Sequence, residues 1–234
     1  MRILSVLLAP ILLAQALWVG ARALRLPEAE GARTGQTGQG APLRVLIVGD
    51  SSAAGVGAAT QSDALSGQLV AILAQDHSVS WRLIAKTGAT SASTLKTLQE
   101  ADLGTYDVVV LALGVNDVKN GVGLRAWRAN YSAILDLLRL KCGVRHIYLS
   151  AVPPLGDFPL LPWPLNVVLG ARASRFDAAL QGLTSDHNAR HLPFELGLDP
   201  PDMAEDGFHP GPDLYTLWAE AIYTQLSRDL PGRE

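Results

Sequence analysis

Hydrophobic and polar positions follow two alternating rhythms along this chain. Four short runs, 44–48, 80–85, 107–113 and 145–151, are dominated by apolar and β-branched residues and read as strands. Longer stretches, 63–75, 93–100, 124–140, 174–188 and 213–227, have helix-like composition, and in most of them apolar residues recur every three or four positions. The run Val108-Val109-Val110-Leu111-Ala112-Leu113 has no polar face, which predicts a strand covered by helices on both sides. Such strands alternating with helices predict an α/β protein, a three-layer α/β/α sandwich with a mostly parallel central sheet. Ligands gather beyond the carboxyl ends of the strands in such sheets. There the sequence places Gly49-Asp50-Ser51, Thr87-Gly88 and Gly114-Val115-Asn116-Asp117.

The amino-terminal segment breaks this rhythm. Residues 3–20 are almost wholly apolar after Arg2, and Ala14-Gln15-Ala16 offers a small-x-small site. Residues 1–20 therefore read as a signal peptide or an N-terminal membrane anchor. Export to the periplasm or medium, or anchoring, is favoured over a soluble cytosolic fate, and residues 3–20 also offer a membrane contact. Arg22 and Arg25 leave the side of the membrane open. Residues 21–42, rich in Gly, Pro, Gln and Thr from 27 onward and without apolar period, read as a flexible linker. A folded domain over 43–230 follows, of a size for one core rather than two.

Charge and cysteine content narrow the classes further. A formal charge of −3, with acids and bases scattered, provides no basic stripe for a phosphate backbone, so nucleic acid is not an expected partner. The single cysteine, Cys142, excludes an internal disulfide framework and is expected to pack as a small hydrophobe near a helix end. His77, His146, His187 and His191 are scattered among expected helices and strands, so no metal is expected; no cofactor is expected either.

Two clusters carry candidate chemistry. A serine hydroxyl is a weak nucleophile and needs a base, an orienter for that base and donors for an oxyanion. Ser51 follows an expected buried strand among small residues, although taken alone an ordinary helix cap or turn is the simpler reading. In Asp206-Gly207-Phe208-His209-Pro210, residues three apart in a tight turn can meet. Asp206 can then hold one ring nitrogen of His209 while the other faces Ser51, the division of labour of a catalytic triad. A solvated turn before a helix-starting proline is the alternative. Asp117 reads as a helix cap or loop brace.

Together, residues 49–55, 88, 114–117 and 206–209 resemble the consensus blocks of the SGNH/GDSL hydrolase family, and the similarity spans nearly the whole domain. The resemblance implies a flavodoxin-like central sheet and a serine ester hydrolase that works without cofactor or metal. It also implies catalytic Ser51, Asp206 and His209, with an oxyanion hole made by the N–H groups of Ser51 and Gly88 and the Asn116 amide. Two positions depart from the commonest pattern, Ser52 in place of leucine and Lys86 where asparagine is frequent; neither removes a catalytic group. The expected substrate is a small-molecule or polymer-linked acyl ester, with short to medium acyl chains first. A carbohydrate or cell-envelope acetyl esterase is an alternative, and a noncatalytic carbohydrate- or lipid-binding protein on the same fold is another.

Other motifs compete weakly. Gly55-Val56-Gly57-Ala58-Ala59-Thr60 partly matches a dinucleotide loop, and Gly49-x-Ser51-x-Ala53 approaches a nucleophile elbow, which normally follows several strands rather than the first. The proline-rich apolar segment 152–169, with Phe158 and Trp163, is long for a connection. It reads as an acyl-binding wall, a membrane contact or a packed excursion.

Overall fold

The computed structural model describes residues 8–195, 197–198 and 200–229. Its elements are α1 (Ala9–Arg22), β1 (Thr34–Thr37), β2 (Ala41–Gly49), α2 (Leu65–Leu73), β3 (His77–Ala85), α3 (Ser91–Glu100), β4 (Val108–Ala112), α4 (Val115–Lys119), α5 (Leu124–Cys142), β5 (His146–Ser150), α6 (Leu165–Asp186), β6 (Arg190–Leu192) and α7 (Pro212–Leu226). The six strands stand in the order β1-β3-β2-β4-β5-β6, all parallel except β1, which pairs antiparallel with β3. The parallel part is the flavodoxin-like order, with its switch point between β2 and β4.

Alternation within the strands divides the core between the two faces. Val108, Val110 and Ala112 pack with α2 and α7 through Leu65, Leu69, Tyr215, Ala219 and Ile222. Val109, Leu111 and Leu113 face α5 and α6 through Trp127, Tyr131, Phe176 and Leu180. The double-sided burial expected of the Val108 run follows from this. Cys142 is the last residue of α5 and is fully buried, next to a left-handed Gly143 that ends the helix. At the amino-terminal end of the central strands, opposite the site, Arg44 and Asp107 form a two-pronged ion pair (2.8 and 3.0 Å) that joins the starts of β2 and β4. The arginine hydrogen bonds outweigh burial and hold the Asp107 carboxyl below its ordinary range.

Three expectations change. Residues 21–42, read as a flexible linker, are folded onto the domain: Ala29 is buried, Glu30 bridges to Thr60, and β1 extends the sheet. The sequence Thr34-Gly35-Gln36-Thr37 buries no side chain, so this edge strand is held by backbone bonds that hydropathy does not register. Helix α6 begins at Leu165 rather than 174, directly after Pro164, a residue tolerated at a helix start. Gly170 on α6 packs against Gly156, where a Cβ would stand 2.8 Å from the Gly156 Cα. Much of the long connection is thus helix and tight packing. Strand β6 is only three residues long and carries Arg190 and His191, too short and polar for a period to show.

The segment 1–20 falls partly outside the described residues. Among the described residues, no helix is long and apolar enough to cross a membrane. Helix α1 rests on the domain through Leu12 and Val19, and the Gln15 side chain donates to the Trp163 carbonyl (2.6 Å) and accepts from the Leu165 N–H (3.2 Å).

Candidate active site

The parallel register sets the site. Gly49, the end of β2, pairs with Ala85 of β3 on one side and Ala112 of β4 on the other. Three loops therefore leave the sheet side by side, and Ser51, Gly88 and Asn116 lie two, three and four residues past that common line. The loop after β2 folds back through bonds from the Ala54 N–H to the Asp50 carbonyl (2.9 Å) and from the Val56 N–H to the Ser51 carbonyl (3.0 Å). Asp50 shapes it further, because its Oδ1 accepts both the N–H (3.1 Å) and the hydroxyl (2.9 Å) of Ser52. Ser52, the departure from the commonest nucleophile block, is used in this turn. Burial pushes the Asp50 carboxyl above its ordinary range, and the Ser52 bonds offset only part of that.

The loop carrying His209 is pressed onto the same place. Gly57 is left-handed, and a Cβ there would come within 2.2 Å of the Pro210 carbonyl oxygen, so only glycine allows the two loops to close. This contact accounts for a glycine that the dinucleotide motif would have used otherwise. Tyr215 of α7 donates its buried hydroxyl to the Val56 carbonyl (2.7 Å), and the Ala204 N–H donates to the His209 carbonyl (2.8 Å).

Ser51, His209 and Asp206 are brought into one chain of hydrogen bonds. His209 Nδ1 lies 2.5 Å from Asp206 Oδ2, and His209 Nε2 lies 2.9 Å from Ser51 Oγ. Asp206 Oδ1 accepts the backbone N–H groups of Phe208 and His209, each at 2.9 Å. With the Nδ1–H donating its hydrogen bond to Asp206, Nε2 is free to accept from the serine hydroxyl. Burial pushes the Asp206 carboxyl up, but the His209 ring and the two N–H donors outweigh it, so the net shift is downward. Phe208 meets the ring of His209 edge-on, with centroids 5.3 Å apart, and meets Phe158 the same way at 5.1 Å.

The expected oxyanion donors stand on the β3 and β4 side of the serine. Asn116 is buried on the short helix α4, and its amide donates to the Ala89 carbonyl at 3.0 Å, which leaves its second N–H unspent. Among the described residues no protein acceptor meets the N–H of Ser51 or Gly88. Gly88 has φ of +80° with open space where a side chain would stand. Asp117 accepts the N–H (2.9 Å) and hydroxyl (2.7 Å) of Ser91, bracing the start of α3 as a cap rather than joining the triad. Thr90 and Ser93 complete a capping box at the same helix end.

Two features were not read from the sequence. The first is Glu28, whose carboxylate accepts the Thr87 N–H at 2.6 Å; nothing in a Gly- and Pro-rich stretch marks it. The second is a cavity of about 220 Å³ whose lining includes Ser51 and His209. Phe158 of the long connection contributes to that lining, whereas Trp163 does not and is three-quarters exposed. His187 and His191 each pair with an aspartate, Asp136 and Asp177. Among the described residues no group of three metal-ligating side chains occurs.

A flavodoxin-like sandwich with a serine, histidine and aspartate aligned at its switch point is the class of the α/β serine hydrolases that use the loop after the first parallel strand, here β2. The chain belongs to the GDSL-like lipase/acylhydrolase family, whose profile matches residues 47–217. Its fold is similar to that of TesA (23% identity, TM-score 0.64, covering 80% of this chain and 99% of that one). It is also similar to the psychrotrophic esterase EstA from Pseudoalteromonas sp. (18%, TM-score 0.58, 79% and 97%). An acetylxylan esterase from Geobacillus stearothermophilus gives 17% identity and a TM-score of 0.60 over 80% and 95% of the two chains. At these identities the likeness shows the fold. No curated protein matches the chain.

Proposed function

We propose that this chain hydrolyses carboxylic esters through an acyl-Ser51 intermediate, and the hydrogen-bonded chain from Asp206 through His209 to Ser51 carries the proposal. His209 takes the hydroxyl proton as Ser51 attacks the acyl carbon, and returns it to the departing alcohol oxygen. Asp206 fixes the ring and stabilises the imidazolium. The carbonyl oxygen becomes an oxyanion met by the N–H groups of Ser51 and Gly88 and by Asn116, neutral donors that need no proton transfer to act. A water then attacks the acyl carbon with His209 as base, and Ser51 is released.

Acyl esters of small alcohols are the first substrates to test. The acetylxylan esterase among the structural neighbours supports acetylated carbohydrate as the second. A noncatalytic binding role on the same fold would require neither a polarised serine nor unspent donors beside it. The apolar residues 3–20 support export or membrane attachment, and Leu13, Leu17 and Trp18 on α1, together with Trp163, are exposed and support contact with a lipid surface. Sedimentation with anionic vesicles, compared with a Leu17→Glu/Trp18→Glu variant, checks the surface: loss of binding in the variant is expected, and equal binding overturns it.

The decisive assay compares the full chain with Ser51→Ala on p-nitrophenyl esters of two to twelve carbons and on acetylated xylan. A fall of about 10³-fold or more in kcat is expected for the variant. Equal rates would overturn the mechanism. The segment 21–42 belongs in the assayed protein, because it is folded onto the domain.

A further inference from the structure

We infer that the acyl chain of the substrate lies in a slot between the sheet edge and α7, which makes this a hydrolase of medium-chain acyl esters; this rests on the ester-hydrolase reading above. The cavity that includes Ser51 and His209 continues along α7 from Leu214 through Trp218 and Ile222 to Gln225. The eleven steps of helix between Leu214 and Gln225, at 1.5 Å each, make that about 16 Å. Its other wall is Phe158, Phe208 and Leu192. Gly88 and Asn116 are not in this lining, so a carbonyl oxygen directed at them leaves the slot for one of the other two substituents on the acyl carbon.

That substituent is the acyl chain, for a reason of sequence in time. The alcohol must leave and water must reach the same carbon before the acyl group is released. A group held along a helix under Phe208 is suited to stay through both steps. The wall is mostly apolar, with Ser150, Glu195, Thr224 and Gln225 as polar residues away from the triad, and burying hydrocarbon in it is favourable. The cavity of about 220 Å³ is room for a chain of several methylene groups. Ser150, buried at the end of β5 and in the slot's lining, has a hydroxyl without a protein partner. An unsubstituted chain passes this hydroxyl without using it, so Ser150→Ala is expected to keep or raise activity on octanoyl esters.

The test fills the slot from its outer edge, where Ala221 is exposed on α7 and yet lines the cavity. In the full chain, kcat/KM is expected to rise by up to about fourfold per methylene (about 0.8 kcal/mol each) to roughly eight carbons and then level off. Ala221→Trp should lower octanoyl ester hydrolysis by at least about tenfold while acetyl ester hydrolysis stays within about twofold, the latter also reporting an intact fold. An unchanged chain-length profile in Ala221→Trp, or a tenfold loss on octanoyl esters in Ser150→Ala, overturns the slot. Calorimetric titration of Ser51→Ala with octanoate, with and without Ala221→Trp, reads the slot without turnover. Binding lost on adding Ala221→Trp supports the slot even if the unmodified chain cleaves no ester, in which case only the hydrolase reading falls.

A second inference comes from a different place. The structure assigns Glu28 as a positioning residue for the Gly88 donor: Glu28 Oε1 accepts the Thr87 N–H at 2.6 Å, and Glu28 Oε2 is tied at 2.5 Å to Arg33, which also donates to the Ala85 carbonyl at 2.7 Å. Arg33 and Glu28 thus hold both the end of β3 and the loop that follows it, from outside the family-matched residues. Glu28→Ala should lower kcat about tenfold with KM within about twofold, because a misplaced donor weakens transition-state rather than ground-state binding. Glu28→Gln, which keeps an acceptor for Thr87, should recover most of kcat. A lowered melting temperature in Glu28→Ala with unchanged kcat, or no recovery in Glu28→Gln, overturns the role.

Discussion

Of the three aspartate–histidine pairs among the described residues, Asp136–His187 has an exposed carboxylate and the other two are largely buried, and only one of these two faces a serine. Asp206 and His209 share a turn of four residues, 2.5 Å apart. Asp177 on α6 and His191 on β6 are 2.8 Å apart, and both are largely buried. In the first pair the carboxylate spends one oxygen on the N–H groups of its own turn and the other on the ring, and Nε2 meets Ser51. In the second, Asp177 Oδ1 also accepts the Val152 N–H at 3.0 Å, and among the described residues the ring has no hydroxyl partner. Asp177 fastens the exit of β5 to two neighbouring elements. On the mechanism proposed above, proximity of carboxylate and imidazole does not by itself make a site. Position does, because the first pair leans over the switch point between β2 and β4, where a serine, a glycine N–H and an amide leave the sheet together.

The sharpest way to break this comparison is to replace each carboxylate by its amide. Asp206→Asn should lower kcat by about 10³- to 10⁴-fold with little change in KM, because the amide can favour the wrong tautomer of His209. Asp177→Asn should leave kcat within about twofold, since its histidine touches no reacting group. Burst kinetics on an activated ester separate loss of chemistry from loss of folded protein. Equal losses in the two variants would erase the functional distinction between the pairs.

The sequence made the first pair legible and the second invisible for a physical reason. Asp206 and His209 are three apart within one turn, so local geometry alone brings them together, whereas Asp177 and His191 meet only once α6 and β6 have docked. The same distinction separates the elements that could be read from those that could not. Val108 to Leu113 announces a buried strand because its side chains do the packing, and Ser51, Gly88 and Asn116 follow strands of that kind. Strand β1 and Glu28 act through backbone pairing and a single carboxylate, and leave no periodic trace. The slot along α7 is assembled from stretches of chain far apart in sequence, so its lining becomes visible only in three dimensions.

Acid titration sharpens the comparison at the level of stability. The Asp206 carboxyl is held below its ordinary value of 3.8 in the folded chain, by the His209 ring and two N–H donors against the opposing effect of burial. A depressed folded pKa contributes stability that is fully present above the unfolded value and is lost as pH falls through the folded one. Denaturant unfolding of the unmodified chain and of Asp206→Asn should therefore differ most above about pH 5. The gap should narrow as the pH drops below 3.8. A gap that stays constant down to pH 2 would show that the carboxylate charge contributes nothing to folding.

The smallest effect belongs to the structural pair. Asp177→Ala removes the acceptor of the Val152 N–H and the partner of His191, and leaves both groups largely buried. Unsatisfied groups of this kind cost about 1 to 3 kcal/mol. In a domain of this size that corresponds to a melting temperature lower by roughly 2 to 12 °C. Val152, the second residue after β5, is held at this point, and Ala151 and Pro153 on either side of it line the slot. Any change in activity should therefore appear as a higher KM for long acyl esters, with kcat on acetyl esters retained. A fall in kcat on acetyl esters at unchanged melting temperature would instead place Asp177 in the chemistry and make the two pairs functionally alike.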